Sequence, residues 1–299
     1  MTRAARALPR SARLIALAEV STAVILMHVA FRAFKRFTDL GQLETRHGAD
    51  FSPGLAMVLV VAAFMLLRRR RPAEYAIALT PVRRSVTAGL TCAAVYTIIA
   101  TIAITCGLRR DPTWSSPTFA AIVSALNLSV AMATLWVLRR WEPKLGRVPA
   151  WVGWAVMIAL PLVPIALGAA SGRPVPPIAL TVLWLVLGAA VGEELFFRGY
   201  VQSRLNEAFG KPFSVFGVAF GPGLIIAAAL FGLVHMLNPY DYFMGTGRLA
   251  WWHGLTSATT VYYGLLRERT GSIAAPIIVH AFIDLASRTP GLLSAGGWP

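Results

Sequence analysis

Charged residues are scarce in this sequence. Only 14% of its 299 residues are Asp, Glu, Lys or Arg, against about 25% in soluble domains, while 57% are hydrophobic and the mean hydropathy is +0.64. This composition excludes a soluble globular protein and predicts an all-α polytopic membrane protein with eight or nine transmembrane helices. The apolar stretches of helix-spanning length lie at 14–34, 53–67, 85–107, 117–138, 150–170, 177–197, 213–237, 249–266 and 272–288.

Cysteine is nearly absent as well. The 2 cysteines, Cys92 and Cys106, lie in one predicted helix, where their spacing along the chain corresponds to about 21 Å at 1.5 Å per residue. That distance excludes a disulfide bond between them. We therefore expect both side chains to serve in packing.

Acidic residues are few compared with basic ones, with 13 Asp and Glu against 28 Lys and Arg and a net charge of +15. With nine spans and a cytoplasmic N-terminus, the cytoplasmic segments would hold most of the Lys and Arg, above all the arginines at 68–71. This excess follows the positive-inside rule and suits contact with anionic lipid. It predicts an integral protein of a bacterial inner membrane with membrane lipid as a partner, and it argues against nucleic-acid binding.

The few ionisable residues within apolar stretches are unevenly distributed. The spans between residues 85 and 170 hold them only at their ends, whereas the second half carries Glu193, Glu194, Arg198, His235, His280 and Asp284. Ionised side chains at membrane depth cost about 2.5–3.5 kcal/mol each by insertion scales and usually serve a function. We therefore divide the chain into scaffold helices at 1–176, a core that carries the chemistry at 177–288, and a short C-terminal tail at 289–299.

Two glutamates and an arginine occur together in the segment Glu193-Glu194-x-x-x-Arg198. Glu194 and Arg198 are spaced i, i+4 on one helix face and are predicted to pair. Glu193 points about 100° away and has no such local partner. An unpaired carboxyl group in a low dielectric suits a general base. The alternative is that both glutamates serve only helix packing or charge pairing.

The histidines differ in their surroundings. His235 ends an apolar run that includes Phe231, a setting typical of a core residue, while Asp284 follows His280 by one helical turn. A carboxylate at that spacing can orient the imidazole, or both groups can hold one water molecule or metal ion. His28, His47 and His253 are weaker candidates, and the last of them follows two tryptophans at a predicted membrane interface.

The segment that follows Arg198 allows an estimate of depth. The helix is predicted to continue to Phe209 and to stop at Gly210, and the next apolar run is predicted to kink or restart at Gly221-Pro222-Gly223. Glu193 and His235 would then lie about 26 and 35 Å from the intervening turn. These distances allow both side chains to lie at similar depth.

The polar set favours hydrolysis by an activated water molecule within the membrane. The sequence contains neither Gly-x-Ser-x-Gly nor His-Glu-x-x-His, which excludes the usual serine-hydrolase and zincin patterns. A proton-coupled transporter is the second interpretation, because buried carboxylates and histidines also form proton relays.

The sequence contains three short motifs in order: Glu-Glu-x-x-x-Arg from Glu193, Phe-x-x-x-His from Phe231 and His-x-x-x-Asp from His280. Together they resemble the motifs of the CPBP intramembrane proteases. That family includes the type II CAAX prenyl endopeptidases and the bacterial Abi proteins. The likeness covers about 193–284, and the stretch 270–280 also resembles the family's approach to its last motif.

The resemblance implies a helical membrane protease with a buried cavity open to the cytoplasmic side. Glu193 would activate water, His235 would help to hold that water, and His280 with Asp284 would stabilise the oxyanion. Glu194, Arg198 and Phe231 would support these groups. In the metal-dependent version of the mechanism, Glu193, His235 and His280 would bind a divalent ion such as zinc. The resemblance leaves the cofactor and the oligomeric state open.

Asp284 departs from the pattern of the prenyl proteases, which typically have Asn at this position. An ionised Asp cannot donate a hydrogen bond to an oxyanion, so it would instead orient His280 or bind a metal. A prenylated substrate is not expected. The predicted substrate is a membrane-associated or C-terminally anchored protein, and the alternative is a non-catalytic membrane partner or immunity protein with the same fold.

Overall fold

The computed structural model describes residues 8–47, 50–78, 80–106, 116–145 and 149–293. Within these ranges the chain is mainly helical, with one short β-hairpin. The first half comprises α1 (Arg10–Phe37), α2 (Asp39–His47), α3 (Phe51–Leu67), a 3₁₀ turn (Pro72–Tyr75), α4 (Val82–Thr105), α5 (Pro117–Leu145) and α6 (Ala150–Ala170).

The second half begins with one long helix, Val175–Phe209, which we call the site helix. It consists of α7 (Val175–Leu183), two π-helical segments (Trp184–Val191 and Glu194–Val201) and α8 (Gln202–Phe209). The remaining elements are β1 (Phe213–Val215), β2 (Val218–Phe220), α9 (Pro222–Leu237), α10 (Trp251–Ala258), α11 (Val261–Thr270) and α12 (Ala274–Leu293).

The helices are apolar enough for an integral membrane protein. By length and composition, 4 described helices can cross a bilayer: Arg10–Phe37, Val82–Ala103, Pro117–Arg140 and Val175–Phe209. Shorter apolar helices are Phe51–Leu67, Trp154–Ala170 and Pro222–Leu237. The all-α class is therefore confirmed, while a total of eight or nine spans stays a prediction.

The stretches 213–237 and 249–266 do not form the continuous helices that the sequence predicts. The first begins with the antiparallel hairpin β1–β2, whose turn residues Phe216 and Gly217 have φ of 48° and 81°, the positive values that tight hairpins require. The second is divided into α10 and α11 at Thr259–Thr260. Apolarity alone could not reveal either break, because the strands are as apolar as the helices.

Other predicted boundaries agree with the structure. The site helix ends at Phe209, and Gly210 follows with a φ of 71° as its C-cap. Helix α9 restarts at Pro222, the first helical position that suits proline. Cys92 and Cys106 are both free. Helix α12 continues into the expected tail as far as Leu293, and the rest of that tail lies outside the described residues.

Two large apolar cores form much of the interior among the described residues. The first joins α1, α3, the site helix and α9 through side chains such as Met27, Met57, Phe197 and Phe231. The second joins α4, α5, α11 and α12 through side chains that include Leu135, Tyr263 and Val279. The first core packs against the middle of the site helix, where Glu194 and Arg198 are buried.

Helix α3 approaches the site helix through glycines. A Cβ atom on Gly54 would lie 2.5 Å from the carbonyl oxygen of Gly188, and one on Gly192 would lie 2.8 Å from the Cα atom of Gly54. Gly188 and Gly192 form the small-x-x-x-small spacing by which membrane helices pack closely. This contact fixes α3 beside the residue that precedes Glu193.

The substitution Gly54→Val should force the two backbones apart. We expect a loss of about 1–3 kcal/mol, the usual cost of overpacking, seen as a lower melting temperature of the purified protein in detergent. Leu55→Val on the exposed side of the same helix is the matched control and should melt near the wild type. An unchanged melting temperature for Gly54→Val would contradict the close contact.

Candidate active site

Glu193 lies at the centre of the polar cluster. It separates the two π-helical segments of the site helix, an irregularity that often accompanies functional positions. Its Oε2 atom lies 4.0 Å from Nε2 of His235 and 3.7 Å from Nε2 of His280. This oxygen is buried and has no hydrogen-bond partner among the described residues. Glu193 and His235 therefore lie at similar depth, as the distances along the chain allow.

His235 is oriented by the backbone of its own helix. Its Nδ1 atom lies 2.9 Å from the carbonyl oxygen of Phe231. Because a carbonyl oxygen can only accept a hydrogen bond, Nδ1 is the donor. In the neutral ring, Nε2 then carries the free lone pair, and this atom faces Glu193.

His280 is oriented by Glu194. Nδ1 of His280 lies 2.8 Å from Oε1 of Glu194, and the same oxygen accepts a hydrogen bond of 3.0 Å from Nη1 of Arg198. Arg198 and Glu194 are almost fully buried, at 2% and 0% side-chain exposure. The predicted Glu194–Arg198 pair is thus present in the structure. Its further link to His280 turns Nε2 of that ring towards Glu193.

Asp284 does not occupy the orienting position that the sequence suggests. Its Oδ2 atom lies 3.5 Å from Nε2 of His280, which is beyond a normal hydrogen bond, and the orienting contact is made by Glu194 on the opposite nitrogen. Asp284 instead places a carboxylate beside the nitrogen that faces Glu193.

Aromatic rings hold the buried arginine and histidine in place. The Arg198 guanidinium carbon lies 4.2 Å from the centre of the Phe231 ring and 4.9 Å from that of Tyr263. The Tyr263 ring also stacks on His280, with 5.0 Å between centres and 14° between planes. Such contacts stabilise a cation away from water. Phe231 therefore has the supporting position expected from its motif.

Two cavities meet the cluster from different sides. One, of about 190 Å³, is lined by Glu193 with Arg32, Lys35, Asp50, Trp184 and Asn238 among others, and we call it the glutamate cavity. The other, of about 170 Å³, is lined by His235, His280 and Asp284 with Asn127, His253 and Thr256 among others, and we call it the histidine cavity. Glu193 thus lines one cavity and both histidines line the other, with 4.0 and 3.7 Å between Oε2 of Glu193 and the two Nε2 atoms.

The family assignment rests on the part of the chain that carries this cluster. Residues 175–286 match a family model described as type II CAAX prenyl endopeptidase Rce1-like. This segment is similar to the Rce1-like family. The match starts at the first residue of the site helix and includes every residue of the cluster, so the resemblance drawn from the three motifs is confirmed. Comparisons with curated proteins and with solved structures gave no match.

The match makes this part of the chain similar to CAAX-type intramembrane proteases. Together with the apolar helices, the assignment supports an integral membrane protein.

The donor atoms of the cluster lie farther apart than those of a tetrahedral zinc site. Among the described residues, no group of at least three His, Cys, Asp and Glu side chains is arranged to hold a metal ion. Donor atoms of a tetrahedral zinc site lie about 3.3 Å apart, as follows from bonds of about 2.0–2.1 Å. The separations of 3.7 and 4.0 Å from Glu193 Oε2 to the two histidines are longer. The observed donor spacing therefore does not match a tetrahedral zinc site.

The structure adds two residues that the sequence did not identify. Tyr263 lies in an uncharged apolar run, where it resembles any core aromatic residue, and only its contacts to Arg198 and His280 distinguish it. His253, a weaker candidate in the sequence, lines the histidine cavity and lies 5.2 Å from the His235 ring at 85°. The two tryptophans before His253 suggested a membrane interface rather than a cavity wall.

Replacement of Tyr263 separates the role of its ring from that of its hydroxyl group. Tyr263→Ala removes both the stack on His280 and the contact with Arg198, which together are worth about 1–3 kcal/mol, so any hydrolytic rate should fall about 10-fold to 100-fold. Tyr263→Phe keeps the ring and should remain near the wild-type rate. Equal losses in both variants would show that the hydroxyl group, and not the stacking, is what matters.

Proposed function

We propose that the protein is an intramembrane endopeptidase in which Glu193 activates a water molecule to hydrolyse a peptide bond of a membrane-associated or C-terminally anchored protein. The supporting observation is the buried, unpartnered Oε2 atom of Glu193, which faces Nε2 of His235 and of His280 at 4.0 and 3.7 Å. Two atoms that share one water molecule lie up to about 5.6 Å apart, or twice a hydrogen bond of 2.8 Å. One water molecule can therefore contact all three groups.

The first step of the proposed mechanism is the attack of this water on the substrate carbonyl carbon. Glu193 accepts a proton from the water molecule while the water oxygen forms a bond to that carbon. His235 accepts a second hydrogen bond from the same water at Nε2, because its Nδ1 atom is committed to the Phe231 carbonyl oxygen. The carbonyl π electrons move onto its oxygen, which becomes the oxyanion of a tetrahedral intermediate.

His280 is suited to stabilise that oxyanion. Glu194 holds its Nδ1 atom, so a protonated ring directs the remaining N–H at Nε2 towards the side of the ring where Glu193 lies. A donor fixed in advance in a water-poor site is among the most effective forms of catalysis. Asp284, at 3.5 Å from this nitrogen, favours the positive charge of the ring.

The second step is collapse of the intermediate. The oxyanion re-forms the carbonyl group, the C–N bond breaks, and the proton held by Glu193 passes to the leaving nitrogen as it departs as an amine. The products are a new carboxyl end and a new amino end, and Glu193 returns to its starting state. The chain's own residues account for every proton in this sequence.

Reconstitution tests this proposal. The purified protein in liposomes is expected to cut peptides that carry one hydrophobic membrane anchor, and mass spectrometry should find product pairs whose masses sum to the substrate plus one water. Activity that persists with a chelator supports the glutamate mechanism, whereas loss with chelator and recovery with zinc supports the metal-dependent one.

A proton-coupled transporter is the second candidate, because the buried carboxylates and histidines of the cluster also suit a proton relay. It would show as solute uptake driven by a pH gradient in the same liposomes. The absence of any cleavage and of uptake would leave the non-catalytic membrane partner as the remaining interpretation.

A further inference from the structure

The glutamate cavity reaches one end of the helix bundle. Three of its lining residues lie where helices end on that side: Lys35 is near the end of α1, Asp50 directly precedes α3, and Asn238 directly follows α9. Asn238 is exposed. We call this side the mouth end.

The opposite ends of the same helices carry the strongest basic cluster. Arg10 starts α1 and Arg68 directly follows α3. Contacts between elements hold this side together: the Leu8 amide donates to the Ala208 carbonyl oxygen over 2.9 Å, and Arg70 pairs with Glu207 over 2.8 Å. We call it the basic end. Helix α1 alone is about 42 Å long at 1.5 Å per residue, so the two ends are separated by the thickness of a bilayer.

Lys and Arg residues with described side chains are concentrated at the basic end. Those at the basic end are Arg10, Arg13, Arg68, Arg69, Arg70, Arg71, Arg83, Arg84, Arg139, Arg140, Arg204, Lys211, Arg267 and Arg269. Those at the mouth end are Arg32, Lys35, Arg36, Arg173, Arg248 and Arg288. By the positive-inside rule, which counts Lys and Arg near helix ends, the basic end faces the cytoplasm.

A layer of buried polar contacts separates the cluster from the basic end. Glu268 accepts hydrogen bonds of 2.6 Å from both Gln202 and Asn206, and it pairs with Lys211. Gln202 also donates to the Gly264 carbonyl oxygen over 3.2 Å. These contacts tie α8 to α11. The cavity of about 180 Å³ at the basic end is lined by Arg70, Glu74, Tyr75, Ser203 and Glu207, none of which belongs to the cluster.

From these observations we infer that the catalytic cavities open to the extracytoplasmic face of the membrane, so that the substrate is an extracytoplasmic, membrane-adjacent segment of an anchored protein. This orientation is opposite to the cytoplasmic opening that the family resemblance implies. The choice of substrate rests on the proposed hydrolase function. The direction of the opening rests only on the positions of the mouth and of the basic residues.

Cysteine labelling in intact cells tests on which side of the membrane the catalytic cavities open. The exposed Cys106 is first removed by the substitution Cys106→Ala, and the buried Cys92 is retained. Asn238→Cys then reports on the mouth, and Ser214→Cys, on the exposed strand β1, reports on the basic end. We expect a membrane-impermeant maleimide to label Asn238→Cys in intact cells and Ser214→Cys only after permeabilisation.

Each other labelling pattern overturns the inference: the reverse pattern, labelling of both sites in intact cells, or labelling of neither. Met244→Cys, at an exposed position in the loop after α9, serves as a second mouth reporter if Asn238→Cys is produced poorly.

Vesicles of known orientation separate this inference from the proposed function. An anchored peptide added to the outside should be cut faster by right-side-out than by inverted vesicles. If the cysteines are labelled as expected but neither vesicle orientation cuts the peptide, the proposed hydrolase function is refuted and the extracytoplasmic opening stands. Faster cleavage by inverted vesicles would refute the direction while the hydrolase stands.

Discussion

The substitution Glu193→Gln is expected to lower the rate of peptide hydrolysis by about two to four orders of magnitude, the usual contribution of a general base. The amide cannot accept a proton from the water that its oxygen contacts. Hydrolysis of anchored peptides by the purified protein in liposomes provides the measurement. The matched control, Glu74→Gln, changes an exposed carboxylate at the basic end and should leave the rate unchanged.

Thermal unfolding of the same variant distinguishes catalysis from packing. Because Oε2 of Glu193 is buried without a hydrogen-bond partner among the described residues, its neutral replacement should not lower the melting temperature, since an ionised group that is buried without a partner is costly. If Glu193 only supported helix packing or charge pairing, the variant would melt at a lower temperature. A full hydrolytic rate in Glu193→Gln would contradict the proposed mechanism.

Arg198→Met is expected to destabilise the folded protein by about 3–5 kcal/mol, because the buried Glu194 carboxylate loses its arginine and keeps only the contact with His280. It also removes the cation stacked between Phe231 and Tyr263. Thermal unfolding in detergent gives the comparison. The control Arg70→Met breaks partly exposed pairs with Glu74 and Glu207 and should cost no more than about 1 kcal/mol.

A double variant separates the structural and positioning roles of the pair. Glu194→Gln together with Arg198→Met removes both charges, so it should be more stable than Arg198→Met alone. Its hydrolytic rate should nevertheless remain low, because the carboxylate that orients His280 is gone. Recovery of the rate together with the stability would show that Glu194 has no positioning role.

Local spacing in the sequence was enough to predict part of the site. Glu194 and Arg198 pair because residues four apart share one helix face, and the site helix stops at Gly210 because only a residue that tolerates positive φ suits that cap. The resemblance of three short motifs supplied the rest of the cluster, which the structure brings together around Glu193.

Contacts between distant segments could not be predicted from the sequence. The bond from His280 to Glu194 spans 86 residues, and nothing in the residues near either one indicates it. Asp284 offered a nearer partner at helical spacing, and the structure places it on the other ring nitrogen. The role of Tyr263 and the two hairpin strands could not be predicted for a related reason. In a membrane protein, apolar residues occur equally in cores, strands and lipid-facing helices.

The central claim is that Glu193 drives hydrolysis of a membrane protein. Its most direct test compares all protein termini in membranes from cells that produce either the wild type or Glu193→Gln. Mass spectrometry of enriched chain ends provides this comparison. The account predicts new termini, next to or within hydrophobic anchor segments, that appear with the wild type and are missing with Glu193→Gln. The same set of termini in both membranes would contradict it.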